Sequence, residues 1–205
     1  MKAVLISIQP KWCELIASGK KTVEVRKTKP KLETPFKVYI YETRNGGHSC
    51  KNCKENAEDC YSYAPKGVGC YNGRSKVIGE FVCDRVIGTC PWRLKGETGF
   101  CAKRTEEETQ LPDMACLTLE EIEKYAGSRG RGLYGWHISD LKIYDKPREL
   151  SEFATICKID EKDAYECSQC EYFNTPEKSI YKCLCNHLKP LTRPPQSWCY
   201  VEEQE

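Results

Sequence analysis

The sequence has no apolar stretch long enough to cross a bilayer, and its first apolar run, residues 1 to 8, ends at once in Gln9, Pro10 and Lys11. Because that run is also too short for a secretory signal, we expect the protein in the cytoplasm, where most thiols stay reduced. Disulfides are therefore a poor explanation for the 15 cysteines among its 205 residues. With 40% apolar and 30% charged residues, the composition predicts a globular chain and excludes disorder.

The sequence also lacks a strong excess of either charge, because the formal net charge is only +2. It therefore has no global basic footprint of the kind that many nucleic-acid-binding proteins carry. The charge is unevenly distributed, however: residues 10 to 37 contain eight Lys/Arg and three Glu, whereas residues 149 to 177 contain eight acids and two lysines. The local charges are thus +5 (8 − 3) and −6 (2 − 8). The basic segment can face phosphates and the acidic one cannot.

Hydrophobic periodicity predicts many short strands and few helices, which favours the α+β class and a small mixed β-barrel. Pro10 and Gly19 have the positions of a helix start and stop, and Thr118 with Glu121 forms a capping box. The predicted helices are 10 to 18 and 118 to 125, and the predicted strands are 3 to 9, 22 to 27, 36 to 41, 76 to 87 with an interruption at Gly79, 133 to 144 and 197 to 202.

Three segments have no clear apolar period and are predicted to be insertions into a single domain that spans residues 1 to 205. Residues 44 to 75 and 157 to 189 are rich in cysteine, and residues 88 to 116 are expected to be irregular. The sequence shows no internal repeat beyond the two cysteine clusters.

Residues 19 to 26 (GKKTVEVR) fit the pattern Gly-x-Lys-x-x-Glu-x-Arg and follow a helix that begins Pro-Lys-Trp. Here the sequence resembles the ASCH family, a branch of the PUA-like fold. Residues 132 to 144 and 194 to 201 are similar to later strands of phage-type members. The resemblance covers roughly residues 1 to 43, 76 to 87 and 118 to 150, so the three insertions lie outside the family core.

The resemblance implies a cleft between the helix and the barrel, in which family members are thought to bind RNA or modified nucleobases. The alternation of the motif puts Val23 and Val25 on one strand face and Thr22, Glu24 and Arg26 on the other. The resemblance implies that this polar face floors the cleft and that Lys21, a mobile charge, lies at its rim. Arg26 offers a planar fork for phosphate or a base edge, and Glu24 an acceptor for an exocyclic amine.

Tyr39, Tyr41, Trp12 and Trp136 are candidates for stacking on a base, and core packing is the alternative for all four. The alternative for Glu24 and Arg26 is a cross-strand ion pair on a solvated face.

The resemblance also leaves open an enzyme at the same cleft, with Lys21 and Glu24 as its catalytic residues. One bacterial branch hydrolyses the acetyl amide of acetylcytidine with a lysine and a threonine of this motif and a more distant glutamate. Lys21 matches that lysine, but Glu24 stands where the threonine is expected. Another branch is described as having ribonuclease activity, for which a Lys/Glu/Arg cluster can supply general acid-base chemistry.

The cysteine spacing predicts one or two structural zinc sites. One set has a Cys-x2-Cys knuckle followed by a second group of ligands, and the other lies in a segment too polar to fold on its own apolar area, where zinc would supply folding energy. The first set is Cys167, Cys170, Cys183, Cys185 and His187; the second is Cys50, Cys53, Cys60 and Cys70, with His48 nearby. A third reading of the chain is therefore a zinc-stabilised protein-interaction module.

The remaining cysteines are scattered. Cys13, Cys83 and Cys199 are expected to act as small apolar residues, whereas Cys90, Cys101 and Cys116 lie in one insertion that is a candidate for a third zinc site. With three histidines in the chain, no Ser/His/Asp or Cys/His pair follows from residue order alone, and His137 is expected to be a hydrogen-bonded core residue.

Overall fold

The computed structural model describes residues 2–44, 74–89, 105–127, 132–156 and 188–203. Within these ranges the chain is an α+β protein of short strands and three α-helices. Its elements are β1 (Lys2–Ile8), α1 (Pro10–Ala17), β2 (Val23–Arg26), β3 (Phe36–Glu42), β4 (Lys76–Cys83), β5 (Val86–Thr89), α2 (Glu106–Ala115), α3 (Leu119–Ala126), β6 (Leu133–His137), β7 (Ser139–Arg148), a 3-10 turn (Leu150–Glu152), β8 (Ala154–Ile156), β9 (Leu188–Pro190) and β10 (Trp198–Glu202).

The strands form a five-stranded sheet in the order β10-β1-β3-β4-β7, a three-stranded sheet in the order β2-β6-β5 and the pair β8-β9. β1 runs parallel to β3, whereas the other pairs in the described ranges are antiparallel. The mixed character that the sequence predicted is therefore confirmed. Strand β2, which carries the Lys/Glu/Arg motif, lies at the edge of the three-stranded sheet.

The core consists of three apolar clusters, one on each side of the five-stranded sheet and one under the helices. The first cluster joins the two sheets and includes Ile6, Val38, Phe81 and Trp136. The second packs the outer face of the three-stranded sheet against α2 and α3, and the third covers the opposite face of the five-stranded sheet around Phe153. Both sheets are thus buried on both faces where they meet.

Gly135 in β6 is required by the packing of the second cluster. A Cβ atom at this position would lie 2.5 Å from Leu111 Cδ1 and 2.8 Å from Val23 Cγ1, closer than van der Waals contact allows. The absence of a side chain lets α2 approach the sheet directly over this strand. In the neighbouring strand β5, a Cβ at Gly88 would meet nothing within 4 Å.

Two predicted strands are each divided in the structure. The segment 76 to 87 forms β4 and β5 with a break after Cys83 rather than at Gly79, and the segment 133 to 144 forms β6 and β7 with a break at Ile138. At each break the chain leaves one sheet for the other. Periodicity alone did not reveal this change, because the sheet that each half of the segment joins is decided by packing against strands that are distant in sequence.

The insertion at 88 to 116 was predicted to be irregular, and that prediction is wrong for the part that the structure describes. Residues Glu106–Ala115 form α2, which begins with a capping box between Thr105 and Glu108 and buries Leu111. The predicted helix that begins after Thr118 is confirmed as α3, with the predicted capping box.

Candidate functional site

The side chains of β2 alternate as the sequence predicted, because Val23 and Val25 pack into the helix-covered cluster while Glu24 and Arg26 face the other way. A half-buried strand was expected, however, and all four residues are buried. The reason is that the five-stranded sheet covers the polar face of β2. Glu24 and Arg26 therefore lie within the fold rather than on a solvated face.

Glu24 joins the two cations of the motif. Its Oε2 lies 3.3 Å from Lys21 Nζ and its Oε1 lies 2.9 Å from Arg26 Nη2. The side chains of Lys21, Glu24 and Arg26 are only 2%, 8% and 10% exposed. These three residues, called the charged cluster below, carry two positive charges and one negative charge. The alternative of a cross-strand, solvated ion pair is wrong, because Glu24 and Arg26 belong to one strand and are buried.

Lys21 was expected at the cleft rim as a mobile charge, but it is fixed and buried. Its ammonium group donates a hydrogen bond to the carbonyl oxygen of Ala115 at 2.7 Å and lies 5.0 Å from the centre of the Trp12 ring. Ala115 is the last residue of α2, so its carbonyl is one of those that a helix end leaves without an intrahelical partner. The Thr22 amide donates to the Met114 carbonyl at 2.9 Å, which fixes the same junction.

Arg26 links the two sheets. Its Nη2 donates to the Ser7 carbonyl of β1 at 2.6 Å in addition to pairing with Glu24. Its Nε, by contrast, is buried and has no hydrogen-bond acceptor among the residues that the structure describes. A buried guanidinium donor without a partner is uncommon and calls for an explanation, which a bound acceptor would provide.

Trp12, Cys13 and Tyr125 surround the charged cluster. Cys13 is buried, and burial together with the nearby carboxylates of Glu42 and Glu24 raises the pKa of its thiol. Tyr125 is 37% exposed and lies close enough to Arg26 for the guanidinium charge to act on its hydroxyl. Burial raises the pKa of Tyr125. It therefore extends from the buried charges to the surface.

The other predicted ligand contacts lie in different places. Thr22 is half-buried next to the charged cluster. Trp136 is fully buried in the first core cluster, where its ring meets Phe36 and Trp198 edge-on, although its position opposite Glu24 in the sheet puts it on the same face. Tyr41 is buried in the third cluster, across the five-stranded sheet. Core packing, the alternative considered for the aromatics, describes both rings.

His137 is hydrogen-bonded as expected, since its Nδ1 lies 2.6 Å from Asp84 Oδ1, but it is partly exposed rather than in the core. Cys13 and Cys83 are free thiols in the first cluster, which confirms their apolar role, and burial raises the pKa of Cys83 to about 12. Cys199 is also free, half-buried beside the third cluster. Cys116 donates to the Lys20 carbonyl at 3.3 Å.

The predicted zinc ligands all lie outside the described residues, as do Cys90 and Cys101. The residues concerned are Cys50, Cys53, Cys60, Cys70, Cys167, Cys170, Cys183, Cys185 and His187. Within the described part of the chain, no group of three or more potential metal ligands is found. None of the described helices is long and apolar enough to span a membrane.

Sequence reasoning missed three features of the site: the carbonyl groups of Ser7 and Ala115 and the side chain of Tyr125. The two carbonyls carry no sequence signal, since every residue has one. Tyr125 stands at the end of a correctly predicted helix, yet nothing in its spacing links it to Arg26, because the link depends on how α3 packs.

A family profile described as the ASCH domain matches residues 6–177 of the sequence, which is most of the chain. The chain belongs to the ASCH family. The match contains the charged cluster, both helices that pack on β2, the end of β1 and the other strands of both sheets except β10. No curated protein matches the sequence.

Among solved structures, the chain is similar to the crystal structure of ASCH from Zymomonas mobilis, with a TM-score of 0.50 and 16% identity over 98% of this chain and 88% of that one. A tyrosine-to-phenylalanine mutant of the Zymomonas mobilis protein is also similar, with a TM-score of 0.45 and 17% identity over 99% of this chain and 92% of that one. The first likeness supports the ASCH fold, consistent with the predicted PUA-like class.

Proposed function

We propose that this ASCH protein binds nucleic acid or a modified nucleobase, RNA in the first place, with Lys21, Thr22, Glu24 and Arg26 as its binding residues. The observation that carries the proposal is the unpartnered Nε of the buried Arg26. The charged cluster has one more cation than anion, and an excess buried charge is costly unless it is paired. An anionic or carbonyl oxygen of a ligand would supply both the missing charge and the missing acceptor.

The surface around the charged cluster suits the same class of ligand. Lys11 Nζ lies 4.4 Å from the centre of the Trp12 ring, Lys27 Nζ lies 5.0 Å from that of Tyr125, and Lys29 Nζ lies 5.8 Å from that of Tyr134. Lysines placed beside aromatic rings combine attraction for phosphates with flat surfaces for stacking.

The proposal is tested by fluorescence anisotropy with single-stranded RNA, duplex RNA, DNA and modified nucleosides over a salt series. We expect the affinity to fall with salt, and Lys27→Ala should lower the slope of log K against log salt by about 1, because one phosphate contact is lost. Lys146→Ala, a change of an exposed lysine on β7, is the matched control and should leave the slope unchanged. A salt-independent affinity would refute the phosphate contact.

Arg26→Lys tests the buried part of the site while it keeps the positive charge. Lysine lacks the planar fork and the Nε donor, so we expect binding to weaken about tenfold. Arg148→Lys, on β7, is the matched control for a change of an arginine outside the charged cluster. Equal affinity for Arg26→Lys and the wild type would remove the charged cluster from the binding site.

A second candidate is an enzyme that uses the same charged cluster, as an amidohydrolase on a modified nucleoside or as a ribonuclease. The observation in its favour is the buried pair of Lys21 Nζ and Glu24 Oε2 at 3.3 Å, since an amine and a carboxylate at that distance can exchange a proton. Turnover of the preferred ligand that is lost in Lys21→Ala and Glu24→Ala, with folding checked by circular dichroism, would support catalysis; binding without turnover would exclude it.

We further propose that the protein is a phage-type ASCH member and that residues 1 to 205 form one domain. In this proposal the cysteine-rich segments bind structural zinc and the protein is located in the cytoplasm. Metal analysis of the purified chain tests the zinc. If zinc serves a protein-interaction module instead of the charged cluster, chelation should abolish partner binding while Arg26→Lys leaves it intact.

A further inference from the structure

Tyr125 is a large aromatic residue that the fold leaves on the surface next to buried charges. It stands in the last turn of α3, whose other face buries Ile122 and Ala126 in the second cluster. Its side chain keeps 37% of its surface exposed, although the Arg26 side chain that it contacts is only 10% exposed. Tyr125 therefore stands between the charged cluster and solvent.

The hydroxyl of Tyr125 is a polar group close to the charged cluster. Burial raises the pKa of this hydroxyl, while the nearby positive charge of Arg26 lowers it. A tyrosine hydroxyl donates one hydrogen bond, and its proton is available for an acceptor on the solvent side.

The ring of Tyr125 lies beside β2 as well as on α3. Lys27, the residue after Arg26, has its Nζ 5.0 Å from the ring centre, and α3 begins with the capping box between Thr118 and Glu121. An aromatic ring on a capped helix that is partly open to solvent presents a stacking surface.

We infer that Tyr125 is a ligand-binding residue beside the charged cluster: its ring stacks on a flat ring of the ligand, and its hydroxyl donates to a carbonyl or phosphate oxygen of the same ligand. The inference rests on the proposed function, because it extends the site formed by Lys21, Glu24 and Arg26. The same arrangement predicts an effect in the ligand-free protein: Tyr125 should shield the Arg26 guanidinium from solvent.

Binding of a short fluorescein-labelled oligouridine at low salt measures the two contributions separately. Tyr125→Phe keeps the ring and should weaken binding about fivefold to tenfold, because one hydrogen bond is lost. Tyr125→Ala also removes the ring and should weaken binding about a hundredfold. Tyr144→Phe and Tyr144→Ala are the controls, since Tyr144 is also a partly exposed tyrosine but packs against the third cluster, across the five-stranded sheet from the charged cluster.

The ligand-free consequence is measured by the rate at which phenylglyoxal modifies Arg26, followed by mass spectrometry of peptides. Removing the Tyr125 side chain should expose Arg26, so we expect a several-fold faster rate in Tyr125→Ala and the wild-type rate in Tyr144→Ala. Circular dichroism of each variant checks that the fold is retained.

The two measurements separate failure of the inference from failure of the proposed function. If wild-type protein binds the RNA, Arg26→Lys weakens binding and both Tyr125 variants bind like the wild type, the inference is overturned while the proposed function stands. If the wild type binds no RNA, the proposed function fails for this probe. The rate of Arg26 modification then tests the position of Tyr125 over Arg26. An unchanged rate in Tyr125→Ala overturns that position, and a faster rate supports it.

Discussion

The ammonium group of Lys21 donates a hydrogen bond to the carbonyl oxygen of Ala115 at 2.7 Å, joining two residues 94 positions apart. The carbonyl belongs to the end of α2, where the helix dipole is negative and favours a cation. Glu24 lies on the other side of the ammonium group at 3.3 Å. Lys21 is thus held between the end of α2 and a carboxylate. Helix α2 therefore completes the site, although it lies outside the Gly-x-Lys-x-x-Glu-x-Arg motif of residues 19 to 26.

Replacing Lys21 by methionine should lower the free energy of unfolding by about 2 kcal/mol, since the stem is kept but the Ala115 carbonyl loses a charged donor. Urea unfolding followed by circular dichroism measures the change. Lys20→Met, at the exposed neighbouring residue, should have an effect below about 0.5 kcal/mol. Equal stability of the two variants would contradict the anchoring role of Lys21.

Glu24→Gln should destabilise the fold more strongly, by about 3 kcal/mol, because it leaves two buried cations without their shared carboxylate. The measurement is again urea unfolding. Glu107→Gln is the control: Glu107 pairs with Arg85 at 3.0 Å, but both side chains are exposed, so the loss should be below about 1 kcal/mol. If Glu24→Gln were as stable as Glu107→Gln, the carboxylate of Glu24 would not stabilise the two buried cations of the charged cluster.

Gly135→Ala should lower the midpoint of thermal unfolding, with a loss of about 1–3 kcal/mol, because the added methyl group would overlap Leu111 and Val23. Gly88→Ala makes the same change in the adjacent strand, where the methyl group meets nothing within 4 Å. It should leave stability within about 0.5 kcal/mol of the wild type. Differential scanning calorimetry compares the two, and a harmless Gly135→Ala would contradict the close approach of α2.

The buried thiol of Cys83 should resist alkylation at pH 8, because its pKa of about 12 makes the thiolate roughly a thousandfold rarer than at the ordinary value of 9.0. Mass spectrometry of iodoacetamide-treated native protein measures this. Among the four cysteines in the described ranges, the partly exposed Cys116 should react first. Rapid alkylation of Cys83 in the folded protein would refute its burial.

The raised pKa of Cys83 also has a consequence for stability, with a definite sign. Between pH 9 and about 12 the unfolded chain releases the proton that the folded state retains, so the free energy of unfolding falls as the pH rises through this window. Below pH 9 both states hold the proton and this contribution is constant.

The sequence predicted most elements and the alternation of the binding strand, because helix caps and apolar periods are local signals. Pro10, Gly19 and Thr118 marked helix ends that the structure confirms within about a residue. The same local logic identified Glu24 and Arg26 as residues of one face. It also named Lys21, which the structure brings to the same cluster.

The depth of the site could not be predicted, because burial of β2 on its polar face depends on a second sheet that is distant in sequence. Ser7 lies 19 residues from Arg26, and its carbonyl becomes a partner only through packing of β1. The role of α2 was missed for a related reason: Gly- and Cys-rich flanks made residues 88 to 116 look irregular, although Thr105 and Glu108 carried a capping signal.

The pairing of β8 with β9 brings Ile156 next to Leu188, although the two residues are distant in the sequence. Glu42 and Lys76 are paired in the same way across β3 and β4. At both places the strand pairing is complete in the residues that the structure describes. The register of β3 with β4 and of β8 with β9 therefore does not depend on a strand contributed by the intervening residues, so a shorter linker in their place should leave both pairings unchanged.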